Sequence, residues 1–121
     1  MPKYIDAFVV PVPKKNVRAY VKLSKAAVKI WKEYGALEYR ECVGDDLAVE
    51  AGPLSFPKGL RLKKNETVFF SWIVWRSRAQ RDKANAKIMQ DPRLAQMMAG
   101  KKMPFDMKRM LFGGFEIAVD A

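Results

Sequence analysis

Histidine is absent from this chain, and Cys42 is its one thiol. Without an imidazole there can be no Ser-His or Cys-His catalytic couple and no histidine metal ligand, which argues against zinc sites and most acyl-transfer chemistry. A lone cysteine makes no intrachain disulfide, so stability must come from packing. No stretch approaches the roughly 18 apolar residues of a membrane span, and Met1-Pro-Lys-Tyr4 lacks the apolar region of a signal peptide. The expectation is a soluble cytoplasmic protein with no membrane partner. Acidic residues are scarce, 13 against 23 lysines and arginines for a net charge of +10, which raises the question of an anionic partner.

What is present reads as a single domain over residues 1–121, long enough for one core and too short for two. Tyr4 to Val10 is a short apolar run interrupted by Asp6 and stopped by Pro11-Val-Pro13, a strand closed by proline. From Lys14 to Tyr34 the period becomes helical. Val17, Tyr20, Val21, Ser24, Ala27, Val28 and Trp31 share one face, while Arg18, Lys22, Lys25, Lys29 and Lys32 share the other. Gly35 is positioned to cap that helix. Leu37 to Val43 alternates Leu, Tyr, Glu, Val against Glu, Arg, Cys, as a two-faced strand should.

The Pro/Gly-punctuated connection at 44–66 is long for a compact domain. Gly52-Pro53 and Phe56-Pro57 are expected to organise it into a flap or a short helix. Thr67 to Trp75 is the strongest strand signal. Ser77 with Gln80 forms a capping box that opens a helix to about Gln90, and Asp91-Pro92 restarts a helical turn as N-cap and first residue. Lys108 to Val119 is read as the last strand. The order β-α-β-β-α-β predicts an α+β, ferredoxin-like fold, with an antiparallel four-stranded sheet and both helices on one face.

That arrangement leaves a sheet face to be covered. In the third strand Val68, Phe70, Trp72 and Val74 point one way, and Phe69, Ile73 and Trp75 with Ser71 point the other. Helices cover only one of these sets, and a bare aromatic face is an aggregation liability. Either a second copy covers it, making a homodimer, or nucleic-acid bases stack on it. The basic stripe of the first helix favours nucleic acid, but the third strand lacks the basic-Gly-aromatic signature of an RNA-recognition module, so the homodimer is preferred.

Asp6, inside an apolar strand, must be paired, hydrogen-bonded or raised in pKa. Arg109 is its natural partner or an anion anchor, and structural pairing is the competing explanation for both. Glu41 and Arg40 point to opposite faces, so one at most looks into a given cavity. Proton transfer would fall to Asp6 or Glu41, with Arg109 stabilising an anion. Trp72 and Trp75 point to opposite faces, one core and the other lining the intersheet space. Asp106 reads as a turn cap before a catalytic group. Gly113 and Gly114 mark a close approach of a ligand or another backbone. Asp45, Asp46 and Glu50 lack calcium-loop spacing, so no metal and no cofactor is expected. Methionines 89, 97, 98, 103, 107 and 110 fill gaps or line an adaptable pocket.

Four separated motifs carry a resemblance: Tyr4-Ile-Asp-Ala-Phe-Val-Val-Pro-Val-Pro13; Gly35-Ala-Leu-Glu-Tyr-Arg-Glu-Cys-Val-Gly-Asp-Asp46; Phe70-Ser-Trp-Ile-Val-Trp75; and Met103-Pro-Phe-Asp-Met-Lys-Arg-Met-Leu-Phe-Gly-Gly-Phe115. In that order, nearly end to end, the chain resembles the YbaA-type family of small bacterial proteins of unknown function. The resemblance implies a dimeric α+β barrel, a group that includes cofactor-independent monooxygenases, muconolactone isomerase-like enzymes and small-molecule binders. It brings no catalytic residue with it, because fold alone transfers no function. The expected function is therefore an unidentified small molecule held in the barrel, by a monooxygenase- or isomerase-like enzyme or by a non-catalytic, stress-related dimer.

Overall fold

A computed structural model of the chain describes residues 1–100 and 102–121. In order it comprises β1 (Tyr4–Pro13), α1 (Val17–Glu33), β2 (Glu38–Val43), α2 (Phe56–Gly59), β3 (Glu66–Trp75), α3 (Arg78–Ile88), α4 (Pro92–Met98) and β4 (Leu111–Glu116), with single 3-10 turns at Lys14–Asn16 and Met107–Arg109. The sheet order is β2-β3-β1-β4, every pair antiparallel. This is the ferredoxin-like arrangement, with α2 and α4 added in the connections.

β1 runs three residues past Val10, through the Pro11-Val-Pro13 stop read from the sequence. Lys14 donates its amide to the Asn65 carbonyl at 2.8 Å, and strand alternation from that bond aims the amide positions of residues 11 and 13 away from β3. β4 pairs β1 only from Tyr4 to Val9, so the ladder on that side has ended before the two absent N–H groups would be needed. Proline is tolerated where a strand has an unpaired edge.

α1 ends as Gly35 predicts, with φ +106°. Gly35 N–H donates to the Lys32 carbonyl and Ala36 N–H to the Trp31 carbonyl, the two bonds of a Schellman cap. Ser77 accepts from the Gln80 amide and Asp91 from the Arg93 amide, opening α3 and α4. In the long connection, Ser55 caps α2 by accepting from the Lys58 amide.

The helices cover one face of the sheet. Phe69, Ile73 and Trp75 of β3 and Val10 of β1 are buried there, with Tyr20 and Ile30 of α1 and Ala84 and Ile88 of α3. Full burial of each large apolar side chain contributes about 1.5–3 kcal/mol. Ile30 belongs to this core although the helical stripe read from the sequence leaves it out. The opposite face carries Ile5, Ala7 and Val9, paired with Val74, Trp72 and Phe70 and with Phe115, Gly113 and Leu111. Phe70, Leu111 and Phe115 are exposed there. No helix among the described residues is long and apolar enough to cross a membrane.

Candidate functional site

Glu41 sits on β2 directly opposite Ser71 of β3, and alternation turns both toward the helices. α1 crosses above them with Tyr20 and Ser24, one helical turn apart on its buried face. Tyr20 Oη donates to Glu41 Oε1 at 2.9 Å, while Ser24 Oγ and Tyr39 Oη lie 3.3 and 3.4 Å from Oε2. No lysine or arginine joins them in an ion pair among the described residues.

Burial pushes the Glu41 carboxyl above the ordinary glutamate range, against the pull of hydrogen bonds from Tyr20, Ser24, Tyr39 and Ser71. Burial also raises the Tyr20 and Tyr39 phenols, and the neighbouring Glu41 charge raises them further. Both phenols therefore stay protonated donors. A carboxyl with only neutral hydrogen-bond partners can gain and lose a proton without breaking an ion pair.

A cavity of about 170 Å³ opens beside Glu41, walled by Phe8, Trp31, Phe105 and Met110 with Tyr20 and Tyr39. A cavity of roughly 150 Å³ holds one benzene-sized ring. Tyr20 packs against Phe69 and Phe105, with ring centroids 4.3 and 5.6 Å apart, which fixes the phenol that holds the carboxylate.

Asp6 is buried in a different cluster. Its Oδ2 accepts from the Trp75 indole N–H at 3.0 Å, and Arg81 Nε of α3 stands 3.2 Å from Oδ1 without the alignment of a hydrogen bond. Arg81 Nη2 donates to the Tyr4 hydroxyl, and the guanidinium carbon lies 4.7 Å from the Tyr4 ring centroid. Burial raises the Asp6 carboxyl, although Trp75 and Arg81 both act to lower it.

The expected pairing of Asp6 with Arg109 does not form. Arg109 instead binds Glu66 and donates to the Arg61 carbonyl at 3.2 Å, tying the end of the long connection to the approach to β4. Burial works to raise Glu66, but the Arg109 hydrogen bond and the Lys63 amide hold it below the ordinary range. Asp106 caps the turn before β4 by accepting from the Lys108 amide at 3.0 Å.

The two glycines separate. Gly114 faces the helices, where a Cβ would collide with the Tyr4 hydroxyl and Arg81 Nη2. The close approach there is made by the protein's own side chains. Gly113 lies on the open face, where a Cβ would meet only the Phe115 ring, at 3.4 Å. Trp75 is fully buried beneath the helices and is the core tryptophan. Trp72 lies on the open face, in a shallow apolar groove of about 550 Å³ with Phe70, Leu111, Gly113 and Phe115, its indole N–H donating to Glu38 at 2.8 Å. Cys42 is exposed. Met103 and Met110 line the Glu41 cavity, whereas Met89, Met98 and Met107 are exposed. Among the described residues, no three carboxylates or thiols converge into a metal-holding group.

Tyr20 and Ser24 are site residues the sequence reading placed on the helix only as core. Their signal was two hydroxyls four apart on an otherwise apolar stripe, facing a strand that carries a glutamate.

Fold and site together define a small ferredoxin-like α+β protein with a carboxyl-bearing cavity between sheet and helices. The chain belongs to the family described as "Protein of unknown function (DUF1428)", whose model matches residues 3–107. It is 42% identical over 118 residues to the uncharacterized protein YbaA of Escherichia coli strain K12, covering 98% of each chain. Among solved structures it is similar in fold to a dimeric ferredoxin-like protein from an uncultured marine organism, with a TM-score of 0.62 and 12% identity over the whole of both chains. It is also similar to a NIPSNAP-family protein of unknown function from Agrobacterium tumefaciens, with a TM-score of 0.58 and 17% identity, covering 97% of this chain and 89% of that one.

Proposed function

We propose that this protein is a homodimeric enzyme that moves a proton on a small aromatic or carbonyl compound, with Glu41 as the acid–base group. One observation carries this reading: the Glu41 carboxyl opens on a ring-sized aromatic cavity and is held by hydroxyls alone. A carboxyl whose pKa burial raises is a stronger base than an ordinary glutamate, which suits general acid–base work. Glu41 Oε2 takes a proton from a carbon beside a carbonyl, and the C–H electron pair stays behind as an enolate. A protonated carboxyl needs fewer donors, so the Tyr39 hydroxyl, the longest of the three contacts, turns to the new oxyanion. Glu41 then returns the proton to the same or a neighbouring atom, and nothing is oxidised or reduced.

The homodimer is supported by the exposed apolar sheet face and by the dimeric state named for a structure of the same fold. Sheet-to-sheet packing of two copies would bury Trp72, Leu111 and Phe115.

Proton exchange on cyclohexanone in deuterium oxide, followed by NMR, tests the reading. The protein should accelerate exchange at the carbon beside the carbonyl, and Glu41→Gln should abolish the acceleration without unfolding the chain. Equal rates for the two proteins would overturn it. Binding of the ketone with no Glu41-dependent exchange would also overturn it, in favour of a non-catalytic ligand-binding dimer.

A further inference from the structure

A second and larger cavity, about 500 Å³, runs along the outer flank of α1 between Lys15, Ala19 and Lys22 on one side and Met97, Lys102 and Pro104 on the other. Asn16 Nδ2 donates to the Pro104 carbonyl at 3.1 Å and fixes one end of this wall. Leu23 and Met103 line both this groove and the Glu41 cavity, so the two spaces meet at that pair of side chains. The inner space is aromatic and ends at a carboxyl. The outer one is apolar along its floor and carries three lysines, none within 4 Å of a carboxylate among the described residues.

From this juxtaposition we infer that the site takes an amphiphilic anion, a ring ketone carrying an alkanoate chain, whose ring passes between Leu23 and Met103 to bring the carbon beside its ketone to Glu41 while its carboxylate stays outside against Lys15, Lys22 and Lys102. The inference rests on the Glu41 reading and names its substrate class. An anionic group could not enter the inner cavity, because it would meet the Glu41 carboxylate with no cation to offset the repulsion and desolvation. In the groove the same anion keeps its water and gains three ammonium neighbours. The flexible thioether of Met103 and the branched end of Leu23 can move aside for a flat ring at small cost. A net charge of +10 raises the local concentration of such a ligand at the groove.

Calorimetric titration with 4-phenylbutyrate and its uncharged counterpart 4-phenylbutan-1-ol tests the assignment. At low salt the acid should bind about tenfold more tightly than the alcohol, the sum expected of two or three exposed charge contacts. The preference should shrink as salt is added. Lys15→Gln with Lys22→Gln should remove most of the preference and leave alcohol binding unchanged, since both lysines are exposed and neither touches the inner cavity. Leu23→Trp, which narrows the passage, should weaken both ligands, and unchanged affinity would overturn the inward placement of the ring. Equal binding of acid and alcohol by the unaltered protein would overturn the anion inference and leave the Glu41 reading standing. Failure of both ligands to bind would remove both.

Discussion

Arg81 on α3 reaches across to Asp6 on the central strand β1, placing Nε 3.2 Å from Oδ1 while its Nη2 donates to the Tyr4 hydroxyl at 3.0 Å. The Trp75 indole completes the cluster from the neighbouring strand. One guanidinium thus joins a helix to two positions of one strand, and the cluster is part of the core.

Replacing Asp6 with leucine should destabilise the protein by about 3–5 kcal/mol, because the Trp75 N–H and the Arg81 charge would both lose a buried acceptor. Asp6→Asn keeps an oxygen for the indole and should cost less. Denaturant unfolding of the two variants should rank them in that order, and neither should alter proton exchange on cyclohexanone except through loss of folded protein.

Gly114→Ala should be harmful and Gly113→Ala mild. The first drives a methyl into the Tyr4 hydroxyl and Arg81, an overpacking worth about 1–3 kcal/mol. The second adds a methyl on the open face and reduces the freedom of the unfolded chain, a change of at most about 1 kcal/mol in favour of folding. Melting temperatures of the pair are the measurement, and equal shifts would contradict the opposite facing of the two glycines.

The raised Glu41 carboxyl gives stability a definite pH dependence. Because the folded state holds that proton more tightly than the unfolded chain does, the contribution to folding is complete below the unfolded glutamate pKa. It is lost as pH rises through the folded value. Glu41→Gln should therefore raise the melting temperature relative to the unaltered protein more at pH 8 than at pH 4. A difference independent of pH would mean that Glu41 ionises as an ordinary surface glutamate.

Light scattering at micromolar concentration should give twice the chain mass of 13.8 kDa. Phe115→Glu places a charge on the β4 side of the exposed apolar face and should yield folded monomer, since an unpaired charge at a closed interface is strongly unfavourable. An unaltered protein that stays monomeric would remove the sheet-to-sheet dimer.

The order of elements was legible because the strands and α1 have clean periods and α3 is opened by a capping box. The two faces of β3 separate as alternation requires from Phe69 on, with Phe69, Ser71, Ile73 and Trp75 buried and Phe70 exposed, while Val68 on the open side is buried near Gly44 and Leu47 of the long connection. Gly35 and the caps at Ser77 and Asp91 follow from local chemistry alone. Glu41 was legible in its facing, since parity puts it with Tyr39. The partner of Asp6 was not legible. Arg81 lies in Arg78–Ile88, a helix so polar that no apolar stripe marks which of its cations turns inward, and a contact spanning 75 positions leaves no local period. Arg109 was expected at Asp6 because a guanidinium at the start of the last strand can hold a carboxylate bidentately. The register instead places Gly114 beside Asp6, and the nearest buried carboxylate to Arg109 is Glu66.

Pro11 and Pro13 have a consequence for how copies of this chain can meet. Past Val9 the central strand has no ladder partner on one side, where the Met107–Arg109 turn packs instead, and an unpaired side bearing amide hydrogens is a template on which a foreign strand can be laid. At these two positions the ring nitrogen offers none. An incoming strand would find every second docking point blank, so the sheet cannot be lengthened there by recruiting another chain. Pairing of two copies through the broad aromatic face would close on itself at two, whereas strand-by-strand growth has no natural stopping point.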